Sequence, residues 1–204
     1  MLVLARHGRT AWNLEGRFQG WADPPLDDMG RRQSARLAAA LTADLQGPVG
    51  VFSSDLRRAR ETAAVVASAL ACPLSVDPDL REVNVGAWEG LTGEQVRRRF
   101  PAQYREWSEN PDHRPNLRRG GAETLAEAGR RVADGVARIL LGADAAHTVV
   151  IAHGMALQSA LDELVHRRVV DWVGPAPHLG NGEYLQIPVL AHTDRHRSRS
   201  PDPE

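Results

Sequence analysis

MLVLARHGRT, residues 1–10, decides how the rest of the chain is read. Its apolar run of Leu2, Val3, Leu4 and Ala5 ends abruptly on Arg6, His7 and Gly8. A short unbroken run predicts a strand buried on both faces. A cation, an imidazole and a glycine then stand where the backbone leaves the sheet. That is where open α/β folds place their ligand sites. A turn with an incidental histidine would read the same way, so the assignment depends on partners elsewhere in the chain.

The same junction recurs further on. Thr148 to Ala152 predicts another buried strand, and it stops at His153 and Gly154. Between the two, Val49 to Phe52 predicts a strand that runs into SSDLRRA, residues 53–59. Arginines at a strand end and helix start suit an anion, because the free N–H groups and the helix dipole favour negative charge there. Either Arg57 or Arg58 can point back to the strand end, the other facing water. Leu74 to Val76 and Tyr184 to Ile187 predict two more short strands.

Helical periodicity fills the intervals. Leu37, Leu41 and Leu45 predict a helix over 28–45, with Arg31, Arg32 and Arg36 outward. Ala59, Ala63, Val66 and Leu70 form a second apolar stripe. Thr92 with Gln95, and Thr124 with Glu127, are capping boxes. The first opens a helix through Phe100. The second opens a long helix on Leu125, Ala128, Val132, Val136, Ile139 and Leu140, ending near Gly142. Pro101 starts a short helix carrying Tyr104 and Trp107, Met155 to Leu164 predicts another, and residues 168–173 a further turn. Residues 11–27 and 109–122 lack periodicity and read as loops, the second exposed. Val83 and Val85 alternate with polar residues, suggesting an extended segment flanked by two candidate acids, Glu82 and Glu89. The polar tail, residues 191–204, reads as disordered.

Composition narrows the function classes. The 204 residues carry a formal net charge of −1, which argues against a nucleic-acid or membrane partner. All 25 basic residues are arginine. This excludes a lysine Schiff base and a Walker-type phosphate loop. Cys72 is the one cysteine, which rules out a disulfide framework; between a helix and a strand it reads as a small apolar residue. Arg6 interrupts the apolar start, so no signal peptide is expected, and no run approaches the ~20 apolar residues of a membrane span. A cytoplasmic protein is the expectation.

LARHGRTAWN, RFQGWAD, SSDLRRARETA, LREVNVGAWEGLT, GGAETLAEAGRRV and VIAHGMAL, in that order, resemble the successive motifs of the histidine phosphatase superfamily, the phosphoglycerate mutase-like family. The resemblance runs from about residue 2 to about residue 190. It implies a three-layer α/β/α sandwich with a mostly parallel central sheet, as one domain over 1–190 with a cap insertion at about 92–122. It also implies roles. His7 is the nucleophile, Arg6 and Arg58 clamp the phosphate, His153 is the second histidine of the pocket, and Glu82 is the general acid. Asn13 and Gln19 match phosphate-touching residues, with Thr10 and Gly154 placed beside them. Glu89 is the alternative acid.

The residue types suit the chemistry. A phosphomonoester carries nearly two negative charges at neutral pH. Guanidiniums grip its oxygens in pairs and neutralise charge in the transition state, without need of a metal or other cofactor. A neutral imidazole is a competent nucleophile, so His7 must be held neutral, whereas His153 is more useful protonated. Glu82 gives a proton to the leaving oxygen and then activates water. The expected function is metal-independent hydrolysis of a small phosphorylated metabolite through a phosphohistidine. Bisphosphate-primed phosphoglycerate mutase-type transfer and phosphoryl-ligand binding without turnover are the alternatives. A homodimer is compatible with the sequence. Trp107, His113, Arg114, Arg118 and Arg119 are the candidates for substrate choice, their cations suggesting a second anionic group. Met155 departs from the small residue common after His-Gly in the family.

Overall fold

The computed structural model describes residues 1–190, with the side chains of 111–113 left undescribed. The tail and His113, both singled out from sequence, therefore lie outside the described residues. Five strands form one sheet in the order β3-β2-β4-β1-β5. They are β1 (Leu2–Arg6), β2 (Val49–Ser53), β3 (Leu74–Val76), β4 (His147–Ala152) and β5 (Tyr184–Ile187). All pairings are parallel except β1 with β5.

Why the central strands are unbroken apolar runs is visible in their packing. Leu2 and Leu4 of β1, with Val150 and Ala152 of β4, belong to one core. Val3 and Ala5, with Val149 and Ile151, belong to the other. Successive side chains point to opposite faces, and here each face is covered by helices. On the first lie α6 (Leu125–Gly142) and α7 (Gly154–His166); on the second, α2 (Asp28–Asp44) and α3 (Arg57–Ala69). This is the three-layer α/β/α arrangement. Each fully buried Leu, Val or Ile contributes roughly 1.5–3 kcal/mol relative to exposure.

Residues 92–122 stand apart from the sheet. They form α4 (Gly93–Arg99), α5 (Pro101–Glu109) and 3₁₀ turns at Pro111–Asn116 and Arg119–Gly121. Their small core is aromatic: Trp88, fully buried, packs against Phe18 and Trp107, and Tyr104 packs on Trp107.

Three local readings need correction. Residues 11–27 are not all loop, because α1 (Ala11–Leu14) opens on a capping box between Thr10 and Asn13. Residues 109–122 are exposed only in part: Glu109, Pro115, Asn116, Arg118 and Gly121 face water, but the stretch forms two 3₁₀ turns and Arg119 is only 2% exposed. Residues 168–173 make no helical turn; Val170 instead bridges Val189. The segment around Val83 and Val85 pairs with no strand, yet both valines are fully buried.

Among the described residues no helix is long and apolar enough to cross a membrane.

Candidate active site

The sheet order brings the site together. Parallel β1 and β4 are neighbours in a register that sets Arg6 opposite Ala152, so His7 and His153 leave the sheet side by side. Their ring centroids are 5.1 Å apart. On the other side of β4, β2 ends at Ser53, and the chain turns into α3, whose first turn carries Arg58. Arg57 on the same turn is exposed and pairs with Glu61; Arg58 is the inward one, 1% exposed.

Close backbone contact holds His7 in place. Gly8 lies against Gly30 of α2 so tightly that a Cβ on Gly8 would stand 2.4 Å from the Gly30 carbonyl oxygen. The Gly8 N–H donates to Thr62 Oγ1 at 3.0 Å. The Gly8 carbonyl can only accept, and it lies 2.7 Å from His7 Nδ1. Nδ1 therefore carries the proton and Nε2 the lone pair. Arg58 Nε donates to Nε2 at 3.3 Å, in agreement. Burial, and then the Arg58 charge, hold the His7 imidazole well below its usual range, so it is neutral at physiological pH.

Among the described residues neither Arg6 nor Arg58 has a carboxylate hydrogen-bond partner. Arg58 donates to the carbonyls of Ala22 at 2.7 Å and Gly20 at 2.9 Å. Arg6 donates to the Leu179 carbonyl at 2.8 Å, and its buried Nε has no partner among the described residues. Burial lowers Arg6 and takes Arg58 down to about 10, which leaves both charged at neutral pH. Gly154 makes room for Arg6, since a Cβ there would lie 3.2 Å from the guanidinium carbon.

His153 differs from expectation. It is fully buried, neither ring nitrogen has a hydrogen-bond partner among the described residues, and burial followed by Arg58, His7 and Arg6 pushes it well below the usual histidine range. In the free protein it is neutral, not protonated. Three neighbouring positive or protonatable groups make a second proton there costly.

Glu82 closes the pocket from a separate segment. Its Oε1 accepts from the backbone N–H groups of Val83 at 3.0 Å and Ala156 at 2.9 Å. The second bond satisfies a free donor in the first turn of α7, whose cap residue His153 supplies none. Oε2 has no protein partner among the described residues. Glu89, the alternative acid, is exposed and accepts from the N–H groups of Trp21 and Ala22. It ties down a loop.

Thr10, Asn13 and Gln19 form a connected group. The buried Thr10 hydroxyl lies 3.0 Å from Gln19 Oε1 and 3.1 Å from Asn13 Oδ1. With both amide oxygens turned to Thr10, the amide nitrogens are left to donate elsewhere. Of the residues singled out for substrate choice, Arg114 donates to the Trp107 and Ser108 carbonyls. Arg118 is exposed and pairs with Glu127. Arg119 is buried.

Sequence reasoning missed several supports. Asn181 donates to the His7 carbonyl at 3.1 Å. Trp21 was readable as an aromatic that pins the 11–27 stretch to the domain, but its partner was not: its Nε1 donates to the Glu82 carbonyl at 2.8 Å. Arg131 donates to the carbonyls of Asp79, Arg81 and Glu82. The Asn181-Gly182 pair was the one available signal, as a turn dipeptide. Arg131 on a helix face looks like any solvated arginine.

The profile of the histidine phosphatase superfamily (branch 1) matches residues 2–185. The chain belongs to this superfamily. It is 38% identical over 165 residues to a bifunctional protein of Mycobacterium tuberculosis, covering 79% of this chain and 44% of the relative. The chain thus spans less than half the length of that relative. It is 34% identical over 161 residues to a metal-independent phosphoserine phosphatase of Arabidopsis thaliana, covering 78% of this chain and 66% of the relative. It is 32% identical over 195 residues to a glucosyl-3-phosphoglycerate phosphatase of M. tuberculosis, covering 91% and 84%. A solved structure of mycobacterial glucosyl-3-phosphoglycerate phosphatase in complex with VO3 superposes with a TM-score of 0.76 at 27% identity, covering 90% of each chain.

Proposed function

We propose that this histidine phosphatase superfamily member is a phosphomonoesterase working through a phosphohistidine on His7. The observation that carries the reading is the fixed neutral tautomer of His7: Nδ1 is tied to the Gly8 carbonyl while the Nε2 lone pair faces the buried Arg58 guanidinium. The relatives named phosphatases support the same class of reaction.

His7 Nε2 attacks phosphorus as the bond to the leaving oxygen breaks. Protonated Glu82 gives that oxygen its proton. Glu82, now a carboxylate, takes a proton from water, the water oxygen attacks phosphorus, and the P–N bond breaks to release inorganic phosphate. Arg6 and Arg58 hold the non-bridging oxygens throughout, where preorganised charge is worth most. Asn13 and Gln19 donate to the same oxygens through their amide nitrogens. A dianion in the pocket supplies the negative charge that favours a proton on His153. A small phosphorylated metabolite in the cytoplasm is the proposed substrate.

The test is phosphate release from p-nitrophenyl phosphate in EDTA. Wild-type protein is expected to turn it over, and His7→Ala to lose at least about 1,000-fold in kcat, as loss of a covalent nucleophile does. Unchanged release by His7→Ala would remove the nucleophile assignment. Interconversion of phosphoglycerates dependent on a bisphosphate primer would replace hydrolysis with mutase chemistry.

A further inference from the structure

The stripe of α3 that faces the sheet is made of Ala59, Ala63 and Val66, and one polar residue is sealed in beside it. Thr62 is fully buried, where a valine would fill the same space. A buried hydroxyl costs stability unless it is hydrogen-bonded, so its partners indicate its purpose. Two of them fix the direction of their bonds. The Arg58 carbonyl, 2.8 Å away, can only accept, so the one Thr62 O–H points to it. The Gly8 N–H, at 3.0 Å, can only donate, so Thr62 Oγ1 accepts from it. Ser34 of α2 donates to the Gly30 carbonyl at 2.9 Å and to Thr62 Oγ1 at 3.3 Å.

These bonds join the two groups that attack and clamp. The Gly8 N–H has no other hydrogen-bond partner among the described residues, and the Gly8 carbonyl is what holds the proton on His7 Nδ1. Arg58 is the guanidinium facing His7 Nε2. One hydroxyl thus ties the loop of the nucleophile to the helical turn that carries the clamp. Packing confines the same loop from the other side, since a Cβ on Gly30 would stand 2.0 Å from the Arg9 carbonyl oxygen. Such contact limits approach, whereas a hydrogen bond also fixes orientation. Back-bonding of a threonine to the carbonyl four residues earlier slightly destabilises a helix, so α3 by itself gives no reason for the residue.

We infer that Thr62 is a positioning residue for phosphoryl transfer, setting both the His7 tautomer and the placement of His7 against Arg58 through one hydroxyl. This rests on the phosphatase reading. Thr62 touches neither the ring of His7 nor the guanidinium of Arg58; it acts through the backbone of Gly8 and of Arg58. Phosphoryl transfer draws its catalysis from positioning and electrostatics, so a loosened nucleophile loop lowers the rate. With Gly8 unanchored, its carbonyl can turn from Nδ1 and the ring proton can move to Nε2. That removes the attacking lone pair.

The test removes the hydroxyl and keeps the shape. Thr62→Val should lower kcat/KM on p-nitrophenyl phosphate about 10- to 100-fold, the loss that follows a displacement of reacting groups on the ångström scale. Thr62→Ser, which keeps donor and acceptor, should stay within about fivefold of wild type. NMR of the imidazole nitrogens, taken without substrate, reads what a loss of stability alone does not move. Wild type and Thr62→Ser should show His7 protonated at Nδ1, and Thr62→Val should add the Nε2-protonated form. Val66→Ala, one turn further along α3, should lower stability and keep both rate and tautomer. Should Thr62→Val fail to fold, Thr62→Cys takes its place, because sulfur is a weak acceptor and the same slowing and mixed tautomer are expected. Wild-type rate and a single tautomer in Thr62→Val, or in Thr62→Cys where it stands in, overturn the inference and leave the phosphatase reading intact. So does a loss in Thr62→Ser equal to that in Thr62→Val, which would assign the effect to the methyl group. No turnover by wild-type protein overturns the phosphatase reading and this inference with it.

Discussion

At the scale of single residues, Glu82 separates holding from reacting. One oxygen, Oε1, takes both backbone N–H bonds, so it braces α7 and orders its own segment. The other has no protein partner among the described residues, which suits it to the proton transfer proposed for it. Glu82→Gln keeps an acceptor for the two N–H groups and removes the transferable proton. The fold should persist, and kcat on an alkyl phosphate should fall about 100- to 10,000-fold, the usual worth of general acid catalysis. Release of p-nitrophenol, which leaves without help, should fall much less. Equal losses on both esters would mean that Glu82 acts through structure alone. Residue identity was the most legible layer of the chain. His7 and His153 were marked by abrupt polar residues after apolar runs, whereas the choice of Arg58 over Arg57 and of Glu82 over Glu89 came from the family resemblance; in the structure the two rings are 5.1 Å apart, Arg58 reaches His7 and Glu82 reaches the first turn of α7. The protonation state of His153 was not legible, because it depends on how completely the ring is buried and how many cations face it.

At the scale of elements, α6 does more than cover the sheet. Arg131 reaches from it to three successive stretches of carbonyl, at Asp79, Arg81 and Glu82, and pairs with Glu123 at 2.8 Å. Glu123 in turn accepts from the Asn84 N–H at 3.0 Å. The acid-bearing segment has no regular structure of its own, and this strap substitutes for a strand partner. Arg131→Met should cost about 2–4 kcal/mol of stability, from several charged hydrogen bonds lost together. It should also slow alkyl phosphates more than aryl phosphates, because the acid loses its aim. Urea titration and the two-ester comparison check these separately; an aryl rate that falls as far as the alkyl rate would confine Arg131 to stability. The helices themselves were readable from apolar spacing and capping boxes. Their long-range duties were not, since an arginine strapping a distant loop has the same local sequence as one in water. The same limit explains residues 109–122. Their Pro, Gly and Asn content marks irregular, largely exposed backbone correctly, but it does not show that packing of Gly86 against Gly120 buries the Arg119 side chain.

At the scale of the whole molecule, the pocket makes stability depend on pH. His7 and His153 are both fully buried and held neutral, with folded pKa values below the unfolded histidine value near 6.5. Above about pH 6.5 neither state binds these protons, and their stabilising contribution is fully present. As pH falls below that point the unfolded chain gains two protons that the folded protein refuses. The unfolding free energy should then drop by up to about 2.7 kcal/mol per pH unit, one proton contributing about 1.4. Asp27 and Asp55 are held below the usual carboxylate range, so their contributions persist into more acid solution and fade only as pH drops through those lowered values. The histidine window is therefore separable. Urea unfolding at pH 7.5, 6.5 and 5.5 should show the fall, and His153→Asn should have about half the slope. On the phosphatase reading inorganic phosphate binds the native pocket and not the unfolded chain, so it should raise stability by mass action and oppose the loss, because its charge lets His153 accept a proton while folded. A profile flat from pH 7.5 to 5.5 in wild-type protein would mean that both rings protonate within the fold, and that the neutral imidazole required for attack is not built in.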